Sequence, residues 1–600
     1  MAQKTQGKHA RASYVLPNEN KKRNWKSILF YLAITLVYFS RAFFLESDLP
    51  PWGLVAYQPI DEGTYANLAL NLINFGSIDP NDYYAGQYEF FMQPHVICNV
   101  VGNAFVALSL FCLGDNYYGL RMGVVIMGYL ILILFCLTIR ELRKTYGAKT
   151  QGAKTMAALL IIALVMSFVL FNATKAVEPS IARLLLVQLI VYCLVKVRIS
   201  IQLRGFFVGF FTFVSIFFVY VTDLFIGIPV IAYAIFIFAT QGKRSGGLFV
   251  LFGLIGAAIA FILATIYYWY CWDTAPISNA INSVLIFESS SQSAGAYTIG
   301  LTNLLKNIRA FVASNVFFYF LPLAGIVLAC FAPLLKQAFK TEGGPLLAIF
   351  MTILGFFAQT MVSDDFVLRK AVVILPTLLL LFYCCYLWLA GPSKKQWGVG
   401  RKVIIFASSL LACAAMAYVT YFRLFQANSP TFSRLDYTSF DIVLLLINCA
   451  LAIVVVLVFA ISVLVNKRKA AAVSLIASVV VCVVINSCLV LNYNIFDQTY
   501  TEKEVMIELG EVADGKVIAG EYENGFTLYN SILPLLNDQE TLTRYLKENS
   551  DLLYFDYSNA QSFSKDPESL YQHLRETERF ERVYQTFGEQ RSVSLYEFDQ

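Results

Sequence analysis

From residue 27 to residue 491 the chain is a succession of apolar runs, each about twenty residues long, separated by short polar stretches. That pattern constrains the fold more than any other feature. A helix rises about 1.5 Å per residue, so about twenty apolar residues are what the hydrocarbon core of a bilayer demands. The runs lie near 27–45, 118–139, 156–172, 181–197, 205–222, 224–240, 247–270, 316–335, 345–362, 371–390, 403–421, 441–465 and 471–491. A soluble domain could not hide them: 58% of the 600 residues are hydrophobic and only 14% charged. Burial in water-soluble folds saturates near roughly 75% of the chain's surface. The expectation is a polytopic α-helical membrane protein with about thirteen transmembrane helices.

Charge orients these runs. Cytoplasmic loops of membrane proteins carry an excess of Lys and Arg, and alternate loops here do so. Arg140, Arg143, Lys144, Lys149 and Lys154 fill one; Lys196, Arg198 and Arg204 the next; then Lys243 and Arg244, Lys336 and Lys340, Lys394, Lys395, Arg401 and Lys402, and Lys467, Arg468 and Lys469. The basic leader 1–26, with Lys21, Lys22, Arg23 and Lys26, is therefore expected in the cytoplasm, followed by a retained first span. An odd number of spans then places the C-terminal segment outside, and a plasma membrane is the expected location. Residues 93–114 are apolar enough to span, but counting them would put the Arg140–Lys154 loop on the wrong side. An interfacial or re-entrant helix restores the alternation. Residues 46–117 thus read as one long outer loop with juxtamembrane helices, and 271–315 as a second large outer loop.

The tail, 493–600, differs in kind from the membrane domain, 27–492. Lys516–Ala519, Leu552–Phe555 and Ser592–Tyr596 read as strands, separated by polar helical stretches. A small extracytoplasmic α/β domain is expected. Eleven of the twelve cysteines lie in apolar runs and Cys271 lies beside one, so they read as small core or membrane-facing residues, not as a disulfide framework or metal ligands. Three histidines, His9, His95 and His573, exclude a His-rich metal site.

Ionisable groups near a membrane are costly, so their placement is informative. Three outer positions stand out. Asp61 and Glu62 open an amphipathic helix carrying Tyr65, Leu68, Ala69, Leu72 and Ile73; Glu178 precedes Pro179 at a helix start; and Asp364 and Asp365 lie near Arg369 and Lys370. Each has an ordinary explanation as a helix-dipole partner, a cap or a solvated loop charge.

Taken in order, these positions form a pattern. Asp61-Glu62 precedes Tyr65 and Ala66, then come Gln93, Pro94 and His95, then Tyr118 and Arg121 at the start of a span, then Glu178-Pro179. The arrangement resembles the GT-C membrane glycosyltransferases, in the branch of the protein O-mannosyltransferases and lipid A aminoarabinose transferases. The likeness is carried by residues 55–240, continues more weakly to about 390, where Arg369 to Pro376 echoes a late family step, and beyond that is architectural. Two positions depart from it: Gln93 stands where relatives place Lys or His, and Asp223 follows Thr222 where many have Lys.

What the resemblance implies is inverting transfer of a sugar from a polyprenyl-phosphate donor to an acceptor hydroxyl, with Asp61 as general base. Glu62 and Glu178 would orient acceptor or sugar, with Tyr65 and Asp223 as further contacts. Arg121, Lys175, Arg183, Arg309, Arg369 and His95 would be the candidates to hold the donor phosphate. No cofactor is implied, and two carboxylates leave a divalent ion open. The acceptor class, whether glycolipid, wall polymer or protein, is not specified by these residues. Membrane lipids rather than nucleic acid are the expected surroundings. The competing class is a transporter or flippase of lipid-linked sugars, which would spread charges and helix breaks through several spans. The acids here lie at the outer boundary instead, and residues 403–491 are almost uniformly apolar.

Overall fold

A computed structural model describes residues 25–50, parts of 66–78, 99–272 apart from 115, 148, 149, 151 and 197, then 275–277, 308, 312, 314–362 apart from 341, 368–391, 398–425, 438–513 and five strands beyond. Helix α1 spans Trp25–Phe39, followed by a 3-10 turn at Ser40–Phe44; α2 is Val100–Leu113, α3 Tyr117–Tyr146, α4 Ala153–Val165, α5 Phe168–Ala173 and α6 Pro179–Val195. Next come α7 Ile201–Phe218, α8 Gly227–Gln241, α9 Lys243–Trp272, α10 Asn315–Tyr319, α11 Leu321–Ala338 and α12 Gly344–Val362. The last group is α13 Leu375–Ala390, α14 Val399–Phe425, α15 Ser439–Leu464, α16 Arg468–Leu491 and α17 Thr501–Ala513.

Every one of the apolar runs read from the sequence falls on helical segments, 156–172 on two of them, α4 and α5. Among the described residues ten helical segments are long and apolar enough to cross a membrane. The runs at α4, α6 and α12 correspond to shorter apolar helices. This is a multi-pass membrane protein. Its centre is Ala371–Ala390, with 94% of its apolar window buried inside the protein, against 17% for Trp25–Phe44 at the periphery. Apolar side chains left exposed on the outer helices, such as Leu36, Ile266 and Leu411, suit a lipid environment.

Within the segment 93–114 the described residues 99–114 form α2 and its two caps. Its 14 residues reach about 21 Å, short of the roughly 30 Å core. It lies against α3: a Cβ on Gly123 would meet the Phe105 carbonyl oxygen at 2.5 Å, so backbone touches backbone. Phe111 and Leu108 remain exposed on the opposite face. Gly114, at φ 91°, turns the chain sharply, and the Asn116 side chain caps α3 by accepting from the Gly119 N–H. At the far end of α3, Arg143 and Lys144 occupy the last turn, where cations suit the helix dipole.

Helices α7 and α9 pack most closely. A Cβ on Gly209 would fall 2.0 Å from the Gly253 carbonyl oxygen, and one on Gly256 would fall 2.1 Å from that of Phe206. Small residues let membrane helices approach to this distance, where dispersion rather than the hydrophobic effect holds them. Cys330, Cys385 and Cys482 are fully buried core residues, and no group of metal-ligating side chains occurs among the described residues.

Beyond α17 the backbone forms a mixed sheet of five strands: β1 Ile518–Gly520, β2 Ile532–Pro534, β3 Leu552–Asp556, β4 Thr577–Thr586 and β5 Glu589–Glu597. Their order is β2-β1-β3-β5-β4. Strand β1 pairs in parallel with β2 and β3, with Ile518 opposite Ile532 and Leu552, while β5 runs antiparallel to β3 and β4. The three segments read as strands fall on β1, β3 and β5, and α17 packs against β4.

Candidate functional site

Polar contacts join α3 to its neighbours at both of its ends. At one end the Tyr146 hydroxyl donates to the Glu342 carbonyl at 2.7 Å and the Tyr383 hydroxyl to that of Ala153 at 3.1 Å. At the other end lie Arg121 and Lys175, two of the residues singled out for chemistry.

There the chain after α1 turns through Leu45–Asp48, and buried cations converge on it. Arg121, one turn into α3, donates from Nη1 to the carbonyl oxygens of Leu45 and Ser47 at 2.5 and 2.9 Å, with its guanidinium over the Tyr117 ring. Lys175, just past α5, donates from Nζ to the Ser47 hydroxyl at 2.7 Å. Both side chains are buried. Helix α5 is short because Ser167 caps its start and Thr174 ends it, and this break between α4 and α6 is what brings Lys175 inward. Both cations make further interactions besides these.

A third cation sits beside them. Arg41 is fully buried and makes three hydrogen bonds, to the carbonyl oxygens of Tyr38 at 2.9 Å and Val165 at 3.1 Å and to the Thr174 hydroxyl at 2.7 Å. The Tyr38 and Phe171 rings cover it. All of these partners are neutral, and among the described residues no carboxylate pairs with it. Sequence reading passed over Arg41 because it lies inside the first apolar run. A charged residue within such a run was the available signal.

Arg183 and Asp223 are brought together with each other. Nε and Nη2 of Arg183 approach Asp223 Oδ1 at 2.7 and 2.5 Å, and the Ser215 hydroxyl donates to Oδ2 at 2.5 Å. Tyr220 and Phe356 flank the guanidinium. The pair ties α6 to the 3-10 turn Val221–Ile226. Arg183 therefore has its charge matched within the protein, which the spacing of the two residues in sequence did not reveal. Glu178 is the N-cap of α6: its carboxylate accepts from the Ser180 N–H at 3.1 Å, with Pro179 in the first helical turn. The ordinary capping role is thus real, and it holds the carboxylate three residues from Lys175.

Asp61, Glu62, Tyr65, His95 and Arg309 lie outside the described residues, as do Gln93, Asp364 and Asp365. Arg369 falls in the 3-10 turn Leu368–Ile374, of which the backbone is described at that position.

No protein-family model matches the chain, and no curated protein matches it at a significant level. Solved structures do. The aminoarabinose transferase ArnT from Cupriavidus metallidurans superposes in its apo state with a TM-score of 0.52 and, bound to undecaprenyl phosphate, with 0.51. Each match covers 95% of this chain and 98% of the other at 13% sequence identity. The chain has a GT-C fold. Likeness at that identity speaks for the fold, and it extends across the bundle and the segments that follow it. Within this GT-C bundle the buried Arg121, Lys175 and Arg41 all sit at one end, where α1, α3 and α5 begin or finish.

Proposed function

We propose that this protein is a membrane glycosyltransferase that takes a sugar from a polyprenyl-phosphate-linked donor and passes it, with inversion, to a hydroxyl presented on the outer face. The observation that carries the reading is the convergence of two buried cations, Arg121 and Lys175, on Ser47 in a GT-C fold. The structural neighbour, ArnT, is described as bound to undecaprenyl phosphate, and a lipid monophosphate is the ligand such a corner suits. A polyprenyl tail can lie between apolar helices while its phosphate meets the cations.

In the reaction the acceptor oxygen attacks the anomeric carbon as the bond from that carbon to the phosphate oxygen breaks. The hydroxyl proton passes to Asp61, and polyprenyl phosphate leaves with one more negative charge. Arg121 and Lys175 stabilise that growing charge, the interaction that counts because it is stronger in the transition state than in the ground state. Arg41, held by neutral partners next to Thr174, adds to the positive potential without touching the donor. Arg183, already matched by Asp223, contributes less to the phosphate than to the shape of the wall. His95, Arg309 and Arg369 remain further candidates for the phosphate, and Glu62, Glu178 and Tyr65 for orienting sugar or acceptor.

The test uses purified protein and a panel of radiolabelled polyprenyl-phosphate sugars, comparing the wild type with Asp61→Asn. A general base is typically worth about 10²–10⁴-fold, so turnover should fall by that factor while donor binding persists. Equal turnover in both would remove Asp61 and move the base to Glu178. No turnover with any donor, together with translocation of lipid-linked sugar in vesicles, would replace the enzyme by a transporter.

A further inference from the structure

Leu45–Asp48 has partners in three distant parts of the chain, and its residues divide between them by parity. Leu45 and Ser47 face the bundle, receiving Arg121 on their carbonyls and Lys175 on the Ser47 hydroxyl. Glu46 and Asp48 face the segment that leads out of the last membrane helix. The Asp48 carboxylate accepts from the Thr499 hydroxyl at 2.6 Å and from the Thr501 N–H at 3.1 Å, while its own N–H donates to the Thr499 carbonyl at 2.9 Å. Lys503 lies 2.6 Å from Glu46.

Thr501 opens α17, so Asp48 supplies from 453 residues away the carboxylate that a helix N-terminus favours. Since α17 packs on β4, an unbroken series of contacts runs from the sheet through Thr499–Lys503 and Leu45–Asp48 to the two cations. Ser47 and Asp48 are adjacent and both buried. A buried, hydrogen-bonded segment does not deform continuously, because displaced polar groups would go unsatisfied.

We propose that Leu45–Asp48 is a coupling element that makes the placement of Arg121 and Lys175 depend on the docking of the C-terminal segment. Ser47 and Asp48 are positioning residues in it. The inference rests on the reading of those two cations as ligands of the donor phosphate. It assigns the soluble domain a part in donor binding, which neither its sequence nor its sheet discloses.

The test uses the full chain in detergent and a charge-swap cycle on the half-exposed pair: Glu46→Lys, Lys503→Glu and the two combined, with Asp48→Asn as a further variant. Hydrogen exchange of residues 45–48 and 117–121 is measured alongside the Kd for undecaprenyl phosphate. Partly exposed ion pairs are modest, so each single swap should raise exchange at 45–48 and weaken binding by about two- to five-fold. The combined swap should restore both. Asp48→Asn removes the charge from two hydrogen bonds and should weaken binding about ten-fold or more. Raised exchange confined to 499–513, with an unchanged Kd, would overturn the coupling. A wild type that does not bind undecaprenyl phosphate would remove the donor reading, and exchange at 45–48 would then decide the coupling by itself.

Discussion

The Arg183–Asp223 pair allows a quantitative test of how the outer end of the bundle is held. Arg183 and Asp223 are 2% and 0% exposed in their side chains. Two guanidinium nitrogens, Nε and Nη2, converge on Oδ1, while Oδ2 takes the Ser215 hydroxyl. Replacing Asp223 with Leu strands a buried guanidinium, and removing one partner of such a pair costs about 3–5 kcal/mol. The pair itself is worth far less, because both ions lost their hydration in forming it. A triple variant, Arg183→Met with Asp223→Leu and Ser215→Ala, removes the two ions and the hydroxyl together. It should unfold within about 1 kcal/mol of the wild type, since well-packed apolar replacements of buried pairs are often neutral. Reversible SDS-unfolding titrations of the purified protein measure both quantities. If Asp223→Leu alone costs less than about 1 kcal/mol, the pair is not desolvated as its geometry requires. If the triple variant loses as much as the single one, Asp223 acts through something other than compensating Arg183.

Other outcomes follow from the same contacts. Lys175→Met and Arg121→Met should each lower kcat with a polyprenyl-phosphate sugar by about 10²–10³-fold, the usual loss for one group aimed at developing charge; an effect confined to KM would show uniform binding instead. Gly209→Leu should unpick α7 from α9, since even a Cβ there would lie 2.0 Å from the Gly253 carbonyl oxygen; loss of folded yield on size-exclusion chromatography checks it, and unchanged yield would refute the close approach. The charge pattern places the loop between the runs 403–421 and 441–465 outside, so in a background free of native cysteines Ser433→Cys should react with an impermeant maleimide from outside intact cells and Lys243→Cys should not. The reverse labelling would invert the topology.

The contrast between what was legible early and what was not follows the range of the forces involved. Helix positions were legible because lipid demands an unbroken apolar stretch of a set length, a property each run carries by itself. One helix start was legible for the same reason: Glu178 and Pro179 act on their own neighbours. The interfacial placement of 93–114 is an expectation from charge bookkeeping in adjacent loops, where the described residues form the 14-residue helix α2. Asp61, Glu62 and Glu178 could be singled out because an acid at a membrane boundary is costly wherever the fold puts it.

Tertiary structure alone decided which of those charges meet. Ser47 receives Arg121 from 74 residues away and Lys175 from 128, and Asp48 receives Thr499 from 451. Nothing in the local hydropathy of either partner encodes such a meeting. Arg183 and Asp223, read apart as a phosphate ligand and a sugar contact, lie side by side because the break after α7 folds the 3-10 turn back onto α6. Arg41 was hidden in an apolar run, and only the packing of Tyr38, Val165, Phe171 and Thr174 around it shows a buried charge met by neutral partners. Sequence determined which segments enter the membrane, since that depends on sums over neighbouring residues. The crossing of those helices determined where the charges gather, since that depends on side-chain fit between segments hundreds of residues apart.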